Sequence, residues 1–186
     1  MRWWFTVSLL ANATLALAQG NEPRPALPLV MVEQIALPLS AVQVEQAARQ
    51  AWPWTFGQEP GAGLVPGEPG TGRIEAVGRF NYRSSALGNR QQTLGVISYH
   101  VSIVAGNGSC MVRIYQFSHA GNKNAPGGAV SLGPLYEGNR PAVRVPGVSM
   151  AVAGRLHDDM RQQVTAHLRP VIGAFAARLR RAAENR

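Results

Sequence analysis

Residues 92–119, QTLGVISYHVSIVA then GNG then SCMVRIYQFSH, constrain the fold more than any other stretch of this chain. Two long runs rich in β-branched and aromatic residues flank Gly106-Asn107-Gly108, whose residue types tolerate the positive φ that a tight turn needs. Side chains alternate between faces along a strand. The first run therefore sets Ile97, Tyr99, Val101 and Ile103 on one face and Leu94, Val96, His100 and Val104 on the other. On the return run, Met111, Arg113, Tyr115 and Phe117 are expected opposite Cys110, Val112 and Ile114. Such a hairpin commits the chain to an antiparallel sheet with a large apolar face to cover.

The cover lies at the C-terminus. Between about residues 150 and 183, Leu156, Met160, Val164, Leu168, Val171, Ile172, Phe175 and Leu179 recur at steps of mainly three and four, which makes one apolar stripe along a long helix. Pro170 lacks a backbone donor and crowds the preceding turn, so a kink or break is expected near Ala166. Upstream, LVMVEQIAL (29–37) reads as a strand stopped by Pro38. Ser40 and Gln43 then form a capping box for a helix with apolar positions Val44, Ala47, Ala48 and Ala51, and Trp52, Trp54 and Phe56 supply bulk at its end. The glycine- and proline-rich stretch 57–72 is expected to be a mobile loop. In RIEAVGRFNY (73–82), Ile74, Ala76, Phe80 and Tyr82 alternate with Glu75, Arg79 and Asn81. Residues 121–147 are loop-rich, with short strands expected in AVSLGPLY and near AVRV. Strand, helix, four antiparallel strands and a long helix describe an α+β fold, its helices packed on one face of the sheet.

The first 18 residues have the layout of a cleavable signal peptide: Arg2, an apolar run from Phe5 to Leu17, and the small-x-small site Ala16-Leu17-Ala18. That run is too short to span a bilayer, and no second stretch reaches spanning length, so no transmembrane segment is expected. Cleavage after Ala18 leaves a lead-in, residues 19–28, and one domain, residues 29–186. Cys110 is the only cysteine, which excludes an intrachain disulfide, and no cysteine follows the leader to carry lipid. The expected location is the periplasm or the medium. The formal net charge is +8, but the arginines are spread along the chain and only Arg178, Arg180 and Arg181 cluster, at a helix end whose dipole favours cations. Export and this spread argue against a nucleic-acid partner.

Three segments carry a resemblance: AARQAWPWTF (47–56), GRIEAVGRFNY (72–82) and ISYHVSIVAGNGSCMVRIYQFSH (97–119). Together they resemble an uncharacterised family of exported bacterial proteins, a domain of unknown function with a TATA-binding-protein-like fold. The resemblance implies helices on one face of a curved sheet. It carries no activity and no functional residues, because a shared fold does not confer function.

No catalytic constellation emerges from the residues. Gly147-Val148-Ser149-Met150-Ala151 approaches a nucleophile elbow, with Asp158 or Asp159 and His167 following in hydrolase order. The second glycine is replaced, and all partners would share one helix, so Ser149 reads better as an N-cap. His157, inside the apolar stripe, reads as a hydrogen-bonded histidine at the mouth of the core. No metal-ligand spacing and no cofactor motif is present, and Cys110 is expected to be a buried small hydrophobe. The expected function is a non-catalytic envelope binding module for a small apolar ligand or another envelope protein. The expected pocket lies between the terminal helix and the hairpin, lined by Tyr99, Tyr115 and Phe117, with Arg113 or His157 at its mouth. A structural or interaction domain using the uncovered sheet face is the alternative, and a small hydrolase a weaker one.

Overall fold

Asn107 and Gly108 turn the central hairpin, with Gly108 at φ +75°, and the same turn anchors the first helix. The Asn107 Oδ1 accepts from the Ala41 backbone N–H at 2.9 Å, Gly108 N–H donates to the Leu39 carbonyl at 2.9 Å, and Leu37 N–H donates to the Gly108 carbonyl at 2.9 Å. A computed structural model describes residues 26–67, 70–85, 93–125 and 129–185. The leader expected at residues 1–18 and the lead-in through residue 25 lie outside them.

The elements run β1 (Met31–Ala36), α1 (Ala41–Ala51), two 3₁₀ turns (Trp52–Trp54 and Phe56–Gln58), β2 (Gly63–Leu64), β3 (Arg73–Tyr82), β4 (Gly95–Gly106), β5 (Ser109–Gly121), β6 (Gly133–Pro134) and α2 (Met150–Glu184). The antiparallel sheet has the order β1-β5-β4-β3-β2, and β6 continues the β1 edge by pairing with Ser118 and His119 of β5. Both helices cover one face. Ile35, Ile74, Phe80, Ile97, Val101, Ile103, Val112 and Ile114 of the sheet share a core with Val44, Ala47 and Ala48 of α1 and with Leu156 to Leu179 of α2.

Helix α1 starts where expected, with the full Ser40–Gln43 capping box. Its alanine stripe lets it lie close to the sheet. Helix α2 runs on through Pro170, so of the kink or break expected near Ala166 the break does not occur; the packing of the long stripe outweighs the lost donor.

Four expectations are corrected. The stretch 57–72 is pinned at several points: Gly63 and Leu64 form β2 against Val77 and Ala76, and Gly72 N–H donates to Glu45 Oε2 at 3.1 Å. Near AVRV there is only an isolated bridge between Val145 and Val148, and Trp54 points outward while Trp52 and Phe56 enter the core. The fourth correction concerns β5. Ser98 pairs with Ser118, but His100 pairs with Tyr115, so the extra residue opposite Tyr99 makes a bulge. Gln116, at φ +55°, sits in it. The bulge inverts the alternation beyond it: Cys110, Val112 and Ile114 face the core, and so do Phe117 and His119, whereas Met111, Arg113 and Tyr115 face away. Phe117 is therefore not on the face of Arg113.

His119 enters the core through that inversion. Its Nδ1 accepts from the Leu132 N–H at 3.3 Å, and the ring meets Tyr82 edge-on at 5.1 Å. Burial pulls its pKa down to about 4, against a smaller opposing effect of the Thr93 backbone. The unfolded chain, with histidine near 6.5, binds the proton more readily, so stability is full above that pH and falls as the pH drops toward 4. The loss is about 3 kcal/mol by the lower limit. Denaturant titrations at pH 7 and 4.5 check this: His119→Phe should flatten the difference, and an unchanged slope in that variant would refute the assignment.

Candidate functional site

The uncovered face of the sheet carries an organised set of side chains. Val32, Arg113, Ser102 and Glu75 stand in register on β1, β5, β4 and β3, one row across four strands. Glu75 is the hub. Its Oε1 accepts from Ser102 Oγ at 2.7 Å and from Arg73 Nε, and its Oε2 accepts from Tyr115 OH at 3.3 Å. Partial burial would raise its pKa, but the hydrogen bonds from Ser102 and Arg73 outweigh burial and hold the carboxylate below its ordinary range. Tyr115 is raised, by desolvation first and by the Glu75 charge second. The Arg113 guanidinium lies 5.1 Å from the Tyr115 ring centroid, and His100 meets the same ring at 5.7 Å. Beside them Val32 and Met111 are 58 % and 40 % exposed. Toward the other end of the face, Arg79, Asn81, Arg83, Ser98 and Asn122 contribute to a hollow of about 750 Å³.

The five residues singled out from the sequence do not converge. Arg113 and Tyr115 lie on this open face, while Tyr99 and Phe117 lie in the core beneath the helices, 6.0 Å apart between ring centroids. Tyr99 packs over β3 because Gly78 leaves room: a Cβ there would fall 2.6 Å from the phenol Cζ. His157 is buried in α2 and accepts the Tyr136 backbone N–H at Nε2, 2.9 Å. Desolvation lowers its pKa, and the Arg161 charge adds to that. It satisfies the backbone of the segment after β6, as a core histidine does. Of the residues expected to line a helix–sheet pocket, Tyr99 and Phe117 are packed against each other in the core, and Tyr115 lies on the opposite face of the sheet. Hollows of about 750 and 620 Å³ lie instead on the open face and on the outward side of α2 around Arg161, Thr165 and Arg169.

The hydrolase order also dissolves in space. Ser149 caps α2, accepting the Val152 N–H at 3.3 Å, and His167 lies 18 positions along, roughly 27 Å at the rise of a helix. Asp158 pairs with Arg161 at 2.7 Å. Asp159 is buried in a different network, with Tyr82, Ser85 and Gln163. Cys110 is wholly buried and desolvation pushes its thiol up to about 11, the setting of a small core hydrophobe.

Two groupings escaped sequence reasoning. Glu75 and Arg73 share a face by simple alternation, a signal that the sequence carries. Glu59 Oε2 and His167 Nε2 meet at 2.5 Å across 108 positions, with the His167 ring stacked on Phe80 at 4.3 Å, and no local pattern announces such a pair. The buried Tyr99 phenol is raised by desolvation and by the nearby Glu59 charge. No group of three or more His, Cys, Asp or Glu placed to hold a metal occurs among the described residues, and no helix among them is long and apolar enough to cross a membrane.

No family model matches the sequence, and no curated protein matches it. Solved structures do match in fold. A DUF4468 family protein from Bacteroides ovatus ATCC 8483 superposes with a TM-score of 0.52 at 12% identity, over 80% of this chain and 86% of that one. A TBP-like protein from Parabacteroides distasonis ATCC 8503 gives a TM-score of 0.53 at 10% identity, over 80% of this chain and 92% of that one. The chain thus has the α+β, TBP-like fold that the resemblance implied.

Proposed function

We propose that this chain is an exported, non-catalytic binding module of the cell envelope, and that the open sheet face docks a partner protein. The observation that carries the reading is the four-strand row Val32–Arg113–Ser102–Glu75 with Tyr115 and Met111 beside it. Arginine, tyrosine and methionine on a firm backbone are the residue types enriched in protein interfaces. Ordering by Glu75 reduces the side-chain entropy that binding must remove. Packing of Tyr99 and Phe117 in the core leaves the small apolar ligand without its expected pocket, which favours the partner over the ligand.

A photo-crosslinking residue at Met111 tests this in living cells, with exposed Gln46 of α1 as the control position. One adduct of defined size is expected at position 111 and none at 46. Arg113→Glu with Tyr115→Ala should remove it. No adduct at 111, or the same adducts at both positions, overturns the reading. Export has its own test: the intact mass of the protein from the envelope fraction should correspond to a chain beginning at Gln19, and a species that keeps residues 1–18 refutes cleavage.

A further inference from the structure

On the helix side of the molecule, away from the open face, Trp54 is 65 % exposed although Trp52, two residues earlier, is only 6 % exposed. The 3₁₀ turn Trp52–Trp54 that ends α1 holds the indole outward, because Pro53 fixes the turn and Trp52 takes the core position against Phe56 at 5.5 Å. Arg178 of α2 lies over the Trp54 ring, 5.6 Å from the centroid to Cζ. Trp54, Arg178 and Arg181, with Gln50, surround a shallow hollow of about 280 Å³ floored by alanines of both helices. Among the described residues no acidic side chain lines it. Arg180 and Arg181 are exposed on the same last turns, with Glu184 following them, and Glu45 of α1 is neutralised by Arg49 at 2.8 Å.

We propose that this corner is a membrane-contact site that takes the phosphate of an anionic lipid headgroup. Each part has a physical role. Guanidinium groups bind phosphate through paired donors, and juxtaposed arginines gain from the negative surface potential of an anionic leaflet. An exposed indole gains by entering the headgroup region, where its apolar body and its N–H are both accommodated. A free anion would use the arginines but would leave the indole in water, so the exposed tryptophan selects the lipid surface over soluble phosphate. The hollow is too shallow to enclose a ligand, which suits a headgroup presented from a surface. Docking here is independent of the open sheet face, which stays free on the other side of the sheet.

Co-sedimentation of the purified chain that begins at Gln19, without the apolar leader, with lipid vesicles tests the site. Vesicles of phosphatidylcholine alone are compared with an equal mixture of phosphatidylcholine and phosphatidylglycerol. Binding to the anionic vesicles is expected to weaken roughly tenfold or more in Arg178→Gln with Arg181→Gln. Arg144→Gln with Arg155→Gln removes the same charge from exposed positions elsewhere and is expected to bind within about twofold of the unaltered protein. Trp54→Ala should weaken binding several-fold, and Trp54→Tyr, which keeps an interfacial aromatic, should restore most of it. The assignment is overturned if both double variants lose binding equally, which would mean diffuse charge. It is also overturned if Trp54→Ala binds unchanged, or if inorganic phosphate competes at concentrations that leave ionic strength nearly constant. All substituted side chains are exposed, and an unchanged melting temperature confirms that each variant is folded.

Discussion

Asp159→Ala is expected to lower stability by about 3 kcal/mol and the melting temperature by roughly 10 °C. The carboxylate is buried between α2 and the end of β3. It accepts four hydrogen bonds: from Tyr82 OH at 2.7 Å, Ser85 Oγ at 2.6 Å, Ser85 N–H at 3.2 Å and Gln163 Nε2 at 3.1 Å. Burial acts to raise its pKa, but the donors from Ser85, Tyr82 and Gln163 together outweigh it and hold the group below its ordinary value. Removing the acceptor takes from the buried Tyr82 hydroxyl its 2.7 Å carboxylate partner and leaves only Ser84 beside it, and a buried donor that loses its acceptor costs more than the bond itself contributed. Asp159→Asn keeps the shape and part of the accepting capacity and should lose about half as much. The depressed pKa fixes the direction of the pH dependence: the contribution is present above the unfolded carboxylate value and is lost as the pH falls through the folded one. That window lies below the one set by His119. Urea melts of the two variants check the order, and a loss under about 1 kcal/mol for alanine would mean that water replaces the network.

Phe175→Ala is expected to cost about 3–5 kcal/mol, the range for deleting a fully buried aromatic ring. Phe175 is completely buried in α2 and meets Phe56 at 5.5 Å, tilted by 58°. Phe56 in turn stacks on Trp52 at 5.5 Å. This chain of rings joins α2 to the 3₁₀ turns and to the end of α1, so alanine leaves a hole in the middle of a packed interface. Phe175→Leu refills much of the volume and should cost less than about 2 kcal/mol. Denaturation followed by circular dichroism gives both values, and the emission of Trp52 in the native state reports whether the ring chain has loosened. Equal losses in the two variants would contradict a cavity origin.

Much of this protein was determined by local sequence pattern. The alternation of Ile97, Tyr99, Val101 and Ile103, the turn at Asn107 and Gly108, the Ser40 cap and the stripe from Leu156 to Leu179 each depend on neighbours a few residues away, and all appear in the structure. Ser149 as a cap and His157 as a core histidine were also legible, because helix position alone sets their surroundings. Tertiary structure decided the rest. The bulge at Gln116 turned Phe117 and His119 inward, and the phase shift it makes in the alternation shows only once strand pairing places the extra residue, because Met111, Tyr115 and Phe117 read equally well as one unbroken face. Trp52 and Trp54 belong to one aromatic run yet have opposite fates, because only the approach of α2 makes one side of that turn an interior. Glu59 and His167 meet because two distant segments are packed together, and Glu75 became a hub only when strand register placed Ser102 and Tyr115 beside it. Periodicity fixes which side chains share a face. Which faces meet, and therefore which groups share a site, depends on register and packing over the whole chain.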